Sequence, residues 1–287
     1  MPKQTIKVDM HFHPNLPKSD GKAIRKARDW WAAFKKAGID AVIVVEHAYK
    51  DPARAYRILL ETKPKKAKTE IFPGLEALTS EGNDIVVFDE TDKIFQHREI
   101  CTPYELGTFQ LIKKAKKAGY KCFVPHPFTP GTTGVMNNLG ERKGKRAIAL
   151  AGGVELHNDA FAPVLNTPFL PLPKNKLDKM RKVRDLPAHS YTKNGKCIVK
   201  FFAGGSDAHE PGDLDAGYLI AAPKKLTRNA IFKAITNNKK GIFMFSKKRS
   251  LRKNLGYILA GVYTSNIEWL MKKRLQLKKK LLKAADK

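Results

Sequence analysis

Between residues 5 and 245, short apolar or β-branched runs take turns with longer stretches of helical period. The runs "TIKVDMHF", "DAVIVVEH", "TEIFPGLEAL", "DIVVFD", "KCFVPHP", "GVELHN", "CIVKFFAGGSD", "AGYLIAA" and "GIFMF" read as strands. Between them, "KAIRKARDWWAAFKKAG" and "YELGTFQLIKKAKKAG" read as helices. Each closes on a lysine-rich turn followed by Gly38 or Gly119, the chemistry a helix C-terminus favours. This alternation predicts an α/β chain of parallel βα units. At 287 residues, one barrel with an appendage fits as well as two domains do.

Near residue 246 the pattern changes. Residues 1–245 read as the barrel and 246–287 as a basic, mostly helical C-terminal tail. In the tail Ile267, Leu270, Met271, Leu277 and Leu281 share one stripe, which favours packing on the barrel over a free arm.

Charge adds a bias toward partners. The chain carries 55 Lys and Arg against 27 Asp and Glu, a net charge of +28, and residues 222–287 alone hold 19 basic and two acidic residues. Such an excess favours nucleic acid, phosphorylated metabolites or another acidic surface, and a lysine-rich surface also serves solubility. Cys101, Cys122 and Cys197 are odd in number and far apart, so neither a disulfide framework nor a zinc ribbon is indicated. The first residues lack an apolar signal core, and no stretch reaches the ~20 apolar residues of a membrane span. A cytoplasmic protein is expected.

The chemistry is concentrated at strand ends. Five of the eight histidines lie there: His11 and His13, His47, His126 and His209. In a barrel of parallel strands these ends build the active face. Alternation on the first strand would turn Ile6, Val8, Met10 and Phe12 one way and Asp9, His11 and His13 the other. Carboxylates occupy the same ends: Asp20, Glu46, Glu76 and Asp207. Imidazole mixed with carboxylate suits zinc, iron or manganese, and so many donors imply two or three divalent ions.

The successive motifs "DMHFHPNLPKSDG", "VIVVEHAY", "GLEALTSEGNDIVVF", "VPHPF" and "GGSDAHEPGDLDAG" resemble those of the PHP (polymerase and histidinol phosphatase) superfamily of metal-dependent phosphoesterases. The likeness covers roughly residues 5–245. It implies a distorted (β/α)7 TIM-like barrel with up to three ions, manganese, zinc or iron, on its C-terminal face. By the same resemblance His11, His13 and Asp207 hold one ion, and Glu76 bridges to a second that also takes His126. Asp20, His47 and His209 hold the third. Two departures stand out. The segment "PNLPKS" before Asp20 is longer than is common, and where relatives place a histidine this chain has Asn83 and Asp84, with Asp84 as a replacement ligand.

Such a centre would hydrolyse a phosphomonoester or a nucleotide or oligonucleotide phosphodiester through a metal-activated hydroxide. The catalytic expectation rests on Asp207, His209 and His47, with either histidine able to pass a proton to the leaving group. Lys18, Lys22, Arg25, Lys50, Arg54 and the segment "GERKGKRA" are candidate phosphate contacts, and His157, Glu155 and Asn158 candidate supporting groups. The competing reading is a non-catalytic RNA- or nucleic-acid-binding barrel related to the ribonuclease P barrel subunit. Keeping so many costly polar groups aimed at one pocket argues against a scaffold. An amidohydrolase is disfavoured by the "SDG" and "GSDAH" motifs.

Overall fold

Alternation along the strands decides which residues line the barrel, and the first strand breaks that alternation. The computed structural model describes residues 4–129, 133–160, 174–184, 186, 191–193, 196–214 and 216–244, together with Lys273 and Leu277. The expected division at residue 245 and the tail beyond it lie outside the described residues, apart from those last two.

In chain order the strands are β1 (Thr5–Phe12), β2 (Ala41–His47), β3 (Glu70–Leu78), β4 (Asp84–Phe88), β5 (Lys121–Phe123), β6 (Gly153–Asn158), β7 (Thr192–Lys193), β8 (Lys196–Cys197), β9 (Phe201–Gly205), β10 (Gly217–Ala221) and β11 (Ile242–Met244). One sheet runs β11-β10-β1-β2-β3-β4-β5, and β6 pairs with β9 in a second. The two sheets meet along both seams. Val124 N–H donates to Gly153 O and Glu155 N–H to Val124 O, joining the end of β5 to β6, and the chain after β9 bonds to β1 through Asp207 N–H on His11 O (2.7 Å) and His13 N–H on Ala208 O (2.8 Å). The strands thus curl into a TIM-like barrel, with β10 and β11 attached to β1 at its side.

The succession of parallel βα units is interrupted. β4 follows β3 through a turn with no helix between, and it runs antiparallel to both β3 and β5. β10 is antiparallel to β1.

Among the described residues the strands are accompanied by helices α1 (Asp20–Ala37), α2 (Pro52–Glu61), α3 (Arg98–Cys101), α4 (Thr108–Lys117), α5 (Val135–Ala151), α6 (Lys174–Arg184) and α7 (Arg228–Thr236). On α1, Ala23, Ala27, Trp30 and Phe34 recur at helical spacing and pack on Phe12, Val42 and Val44. α4 and α5 cover the opposite side with Leu111, Ile112, Ala147 and Ile148. α7 lays Ile231, Phe232 and Ile235 into the interior core beside Phe72, Phe88 and Tyr218. Each fully buried side chain of this size contributes about 1.5–3 kcal/mol. Among the described residues no helix is long and apolar enough to cross a membrane.

The register of β1 on β2 shifts between Asp9 and Phe12, a β-bulge. Ile6, Val8 and Met10 stay in the interior core, whereas Phe12 joins Trp30 and Phe34 outside it, at ring distances of 4.9 and 5.3 Å. The simple alternation expected from the sequence is therefore corrected: the bulge separates Phe12 from Met10 and turns His11 inward. Asp9 stabilises the kink, its carboxylate accepting from His11 N–H, Ser206 N–H and Ser206 Oγ at 3.0, 3.0 and 2.6 Å. Burial pushes the Asp9 carboxyl up to about 6, against those hydrogen bonds.

β9 approaches this kink so closely that only glycine fits. A Cβ on Gly205 would stand 2.4 Å from His11 Cβ and 2.7 Å from His11 N. Gly205→Ala is expected to cost about 3 kcal/mol in urea unfolding, and a loss below about 1 kcal/mol would contradict the close approach.

Candidate metal centre

Each strand carries its inward face from apolar residues to a polar end. On β2, Ala41, Ile43 and Val45 face the interior core, and the next residue on that face is buried His47. Phe72 and Gly74 on β3 lead to Glu76, and Phe201 and Ala203 on β9 lead past Gly205 to Asp207. β4 runs the other way, so its inward face, Phe88 then Val86, ends at its first residue, Asp84. That reversal explains how an aspartate early in a strand reaches a site built from strand ends.

Two cluster residues sit on unusual backbone. His126 has φ 24° and Asp207 φ 50°, two of the four non-glycine residues with positive φ among those described. Such conformations cost about 1–3 kcal/mol each and persist only where neighbours fix them. Here His126 N–H donates to Glu155 Oε2 at 2.7 Å, and Asp207 N–H is held by His11 O.

The donor atoms converge in overlapping groups. His11 Nε2 lies 3.1 Å from His13 Nε2, 3.6 Å from Glu76 Oε1 and 3.8 Å from Asp207 Oδ1. His13 Nε2 is 3.1 Å from Asp207 Oδ1. Glu76 Oε1 is also 3.1 Å from His126 Nε2, and Asp84 forms a group with these two residues. His47 Nε2 faces His209 Nε2 at 3.4 Å, and the His13 ring stacks on both at 4.1 and 4.5 Å. Within each of four such groups all chosen donor atoms lie within 4.8 Å of one another.

Hydrogen bonds on the far side of the rings fix which nitrogen faces inward. His11 Nδ1 lies 3.1 Å from Glu155 Oε1, His47 Nδ1 2.7 Å from Glu76 Oε2, and His209 Nδ1 3.0 Å from Asp207 O. With Nδ1–H donating, each ring in its neutral form keeps its Nε2 lone pair pointed toward its neighbour. Two nitrogens about 2.1 Å from one tetrahedral ion stand about 3.4 Å apart. The facing pairs at 3.1 and 3.4 Å match that spacing, so the residues present fit divalent ions.

Burial opposes charge on His11, yet the carboxylates of Asp207, Glu155 and Glu76 outweigh it and hold its pKa well above the ordinary value. Burial, aided by His47 and His209, pushes His13 well below it. Glu76 is held well below the usual carboxylate range despite burial, through hydrogen bonds from His126 and His47. Asp207 is lowered too: burial opposes, and His11 and His13 prevail. The pocket therefore offers ionised carboxylate oxygens at neutral pH.

The structure brings together His11, His13, His47, Glu76, Asp84, His126, Asp207 and His209. It does not bring in Asp20. That side chain is 81% exposed at the start of α1 and pairs with Arg54 Nη2 at 2.8 Å. The cause lies in the preceding loop, which neighbouring elements tie down: Trp30 Nε1 donates to Pro14 O, Asn15 N–H donates to Glu46 Oε2, and Arg54 donates to Pro17 O and Lys18 O. His13 takes the place expected for Asp20 beside His47 and His209.

Other expectations shift as well. Arg54 and Lys50, expected as phosphate contacts, are engaged with this loop, Lys50 through Asn15 Oδ1 at 3.0 Å. Asn83 bonds Thr108 and Asn138, leaving Asp84 as the group at the cluster. In "GERKGKRA", Lys145 pairs with Glu141 and Arg146 lies over Phe109. His157 stacks on Phe243 at 5.0 Å. Glu155 and Asn158, by contrast, do reach the ligands. Sequence reasoning missed Lys26, whose Nζ joins Asn15 O, His209 O and Glu210 Oε1; nothing in a helical lysine signals that clasp.

No protein-family model matches the chain. An uncharacterized protein of Methanocaldococcus jannaschii is 27% identical over 147 residues, which cover 48% of this chain and 74% of that protein. PsfC from Pseudomonas syringae PB-5123 superposes with a TM-score of 0.57 at 16% identity, over 92% of this chain and all of that one. The lesion-specific endonuclease PfuEndoQ from Pyrococcus furiosus gives a TM-score of 0.50 at 16% identity, over 84% of this chain and 58% of that one. The likeness to these two solved structures establishes the fold, an α/β barrel.

Proposed function

We propose that this chain is a metal-dependent phosphoesterase. The observation that carries the reading is the convergence of inward imidazole nitrogens and ionised carboxylates in one buried pocket. The candidate ligand groups are His11, His13 and Glu76; His11, His126 and Asp207; Glu76, Asp84 and His126; and His13, His47 and His209. They overlap, and since a neutral imidazole has one lone pair each histidine would serve one ion at a time. The mixed nitrogen and oxygen set suits manganese, zinc or iron. Divalent ions bound there would lower the pKa of water toward neutrality and neutralise phosphate oxygens.

The chain's own groups set the rest. Glu76 spans two groups and fixes their separation. His209, partly exposed at the mouth, is placed to hand a proton to the leaving oxygen when its own group holds no ion. A phosphate ester suits the net charge of +28, and both a phosphomonoester and a nucleotide or oligonucleotide phosphodiester are in scope. The fold shared with a lesion-specific endonuclease supports including nucleic acid among the substrates.

The test is to assay the purified protein for metal and for hydrolysis of p-nitrophenyl phosphate, bis-p-nitrophenyl phosphate and short DNA and RNA oligomers. Bound divalent metal, and activity lost to chelator and restored by manganese or zinc, is expected; absence of both rejects the enzyme reading.

Single substitutions separate the ligands from the rim. His47→Ala or Asp207→Ala is expected to lower activity by about 100-fold or more. Asp20→Ala should leave metal content and activity within about twofold of wild type, since an exposed ion pair contributes little. A large loss on removing Asp20 would return it to the ligand set.

A further inference from the structure

Two ligands, His11 on β1 and His126 just after β5, lean on one carboxylate that is not itself among the ligand groups, and a third, Asp207 just after β9, reaches it through Asn158. Glu155, whose side chain is 0% exposed, stands on β6 with its N–H bonded to Val124 O at 3.0 Å, which fixes it against the end of β5. Its Oε1 meets His11 Nδ1 at 3.1 Å. Its Oε2 accepts from His126 N–H at 2.7 Å and from Asn158 Nδ2 at 3.0 Å. The same Asn158 amide reaches Asp207 Oδ2 at 3.1 Å, and its Oδ1 accepts from Ala160 N–H at 3.0 Å.

We propose that Glu155, seconded by Asn158, is the positioning residue of the centre. It fixes the proton of His11 on Nδ1, holds the backbone turn that aims His126, and through Asn158 orients the Asp207 carboxylate. The inference rests on the metal-dependent reading above. Its physical basis is donor accounting. A buried carboxylate is tolerated when donors surround it, and here every donor comes from a ligand or from the amide that steadies one.

An isosteric change exposes the role. Glutamine in this position keeps an oxygen for His126 N–H and Asn158, which turns its NH2 group onto His11 Nδ1. A donor facing that nitrogen makes it accept, so the ring proton moves to Nε2, the nitrogen that faces His13 and Glu76. Glu155→Gln thus keeps size and shape while spoiling the lone pair an ion needs. A residue serving only to fill and satisfy the core would not show this effect, because glutamine satisfies the same space.

The experiment compares full-length wild type with Glu155→Gln and Asn158→Ala, each first checked for an unchanged melting transition. In histidine-labelled, metal-free protein, proton–nitrogen NMR should show a protected His11 Nδ1–H resonance in wild type that is lost in Glu155→Gln. In zinc titrations Glu155→Gln should bind about 10–100-fold more weakly than wild type, and Asn158→Ala by a smaller factor in the same direction. An unchanged His11 signal together with wild-type zinc affinity in Glu155→Gln overturns the inference. If wild type takes up no zinc, manganese or iron, the functional reading falls, while the metal-free NMR comparison still decides whether Glu155 sets the His11 ring. Should Glu155→Gln fail to fold, Asn158→Ala and Glu155→Asp carry the test: weaker zinc with an intact fold supports the role, and wild-type affinity in both overturns it.

Discussion

Imidazole nitrogens that face one another in a buried pocket, with the opposite nitrogen engaged on His11, His47 and His209, are the constraint on which the rest of the structure turns. His47 and His209 spend Nδ1 on Glu76 and on Asp207 O, and His11 spends its own on Glu155. In their neutral forms His47 and His209, held so, present lone pairs to each other, an arrangement that a cation between them relieves. The bulge that turns His11 inward, the glycine that lets β9 approach it, and the unusual backbone of His126 and Asp207 all serve that convergence.

Assembling such a pocket works against folding. Buried ionisable groups lose hydration, and two ligand residues add backbone strain. The opposing stabilisation comes from three apolar cores, one inside the barrel and two between strands and helices. Loops near the site are held by long side chains anchored in helices, Lys26 from α1 and Arg54 from α2, so the wall beside His13 and His209 is built from the outside inward. An ion that binds only the folded chain would add stability in proportion to its affinity and concentration.

How much the sequence disclosed follows from which interactions are local. The barrel strands were readable because each is a short apolar run between turn residues, and the helix ends at Gly38 and Gly119 because left-handed backbone favours glycine. The histidines were readable because strand ends gather on one face. The direction of β4 was not, since pattern marks a strand without giving its sense, and so Asp84 stood out only as a departure. The exposed position of Asp20 was not legible for a related reason: a loop's path depends on distant donors such as Trp30 and Arg54. The bulge at Asp9 escaped notice because its stabilising partner, Ser206, lies far along the chain.

The most direct measurement of the central claim is anomalous diffraction at the zinc or manganese edge from crystals of the metal-loaded protein. The account predicts peaks inside the cluster, one of them about 2.1 Å from Nε2 of both His11 and His13. Peaks confined to the surface, or none within reach of these rings, would contradict it.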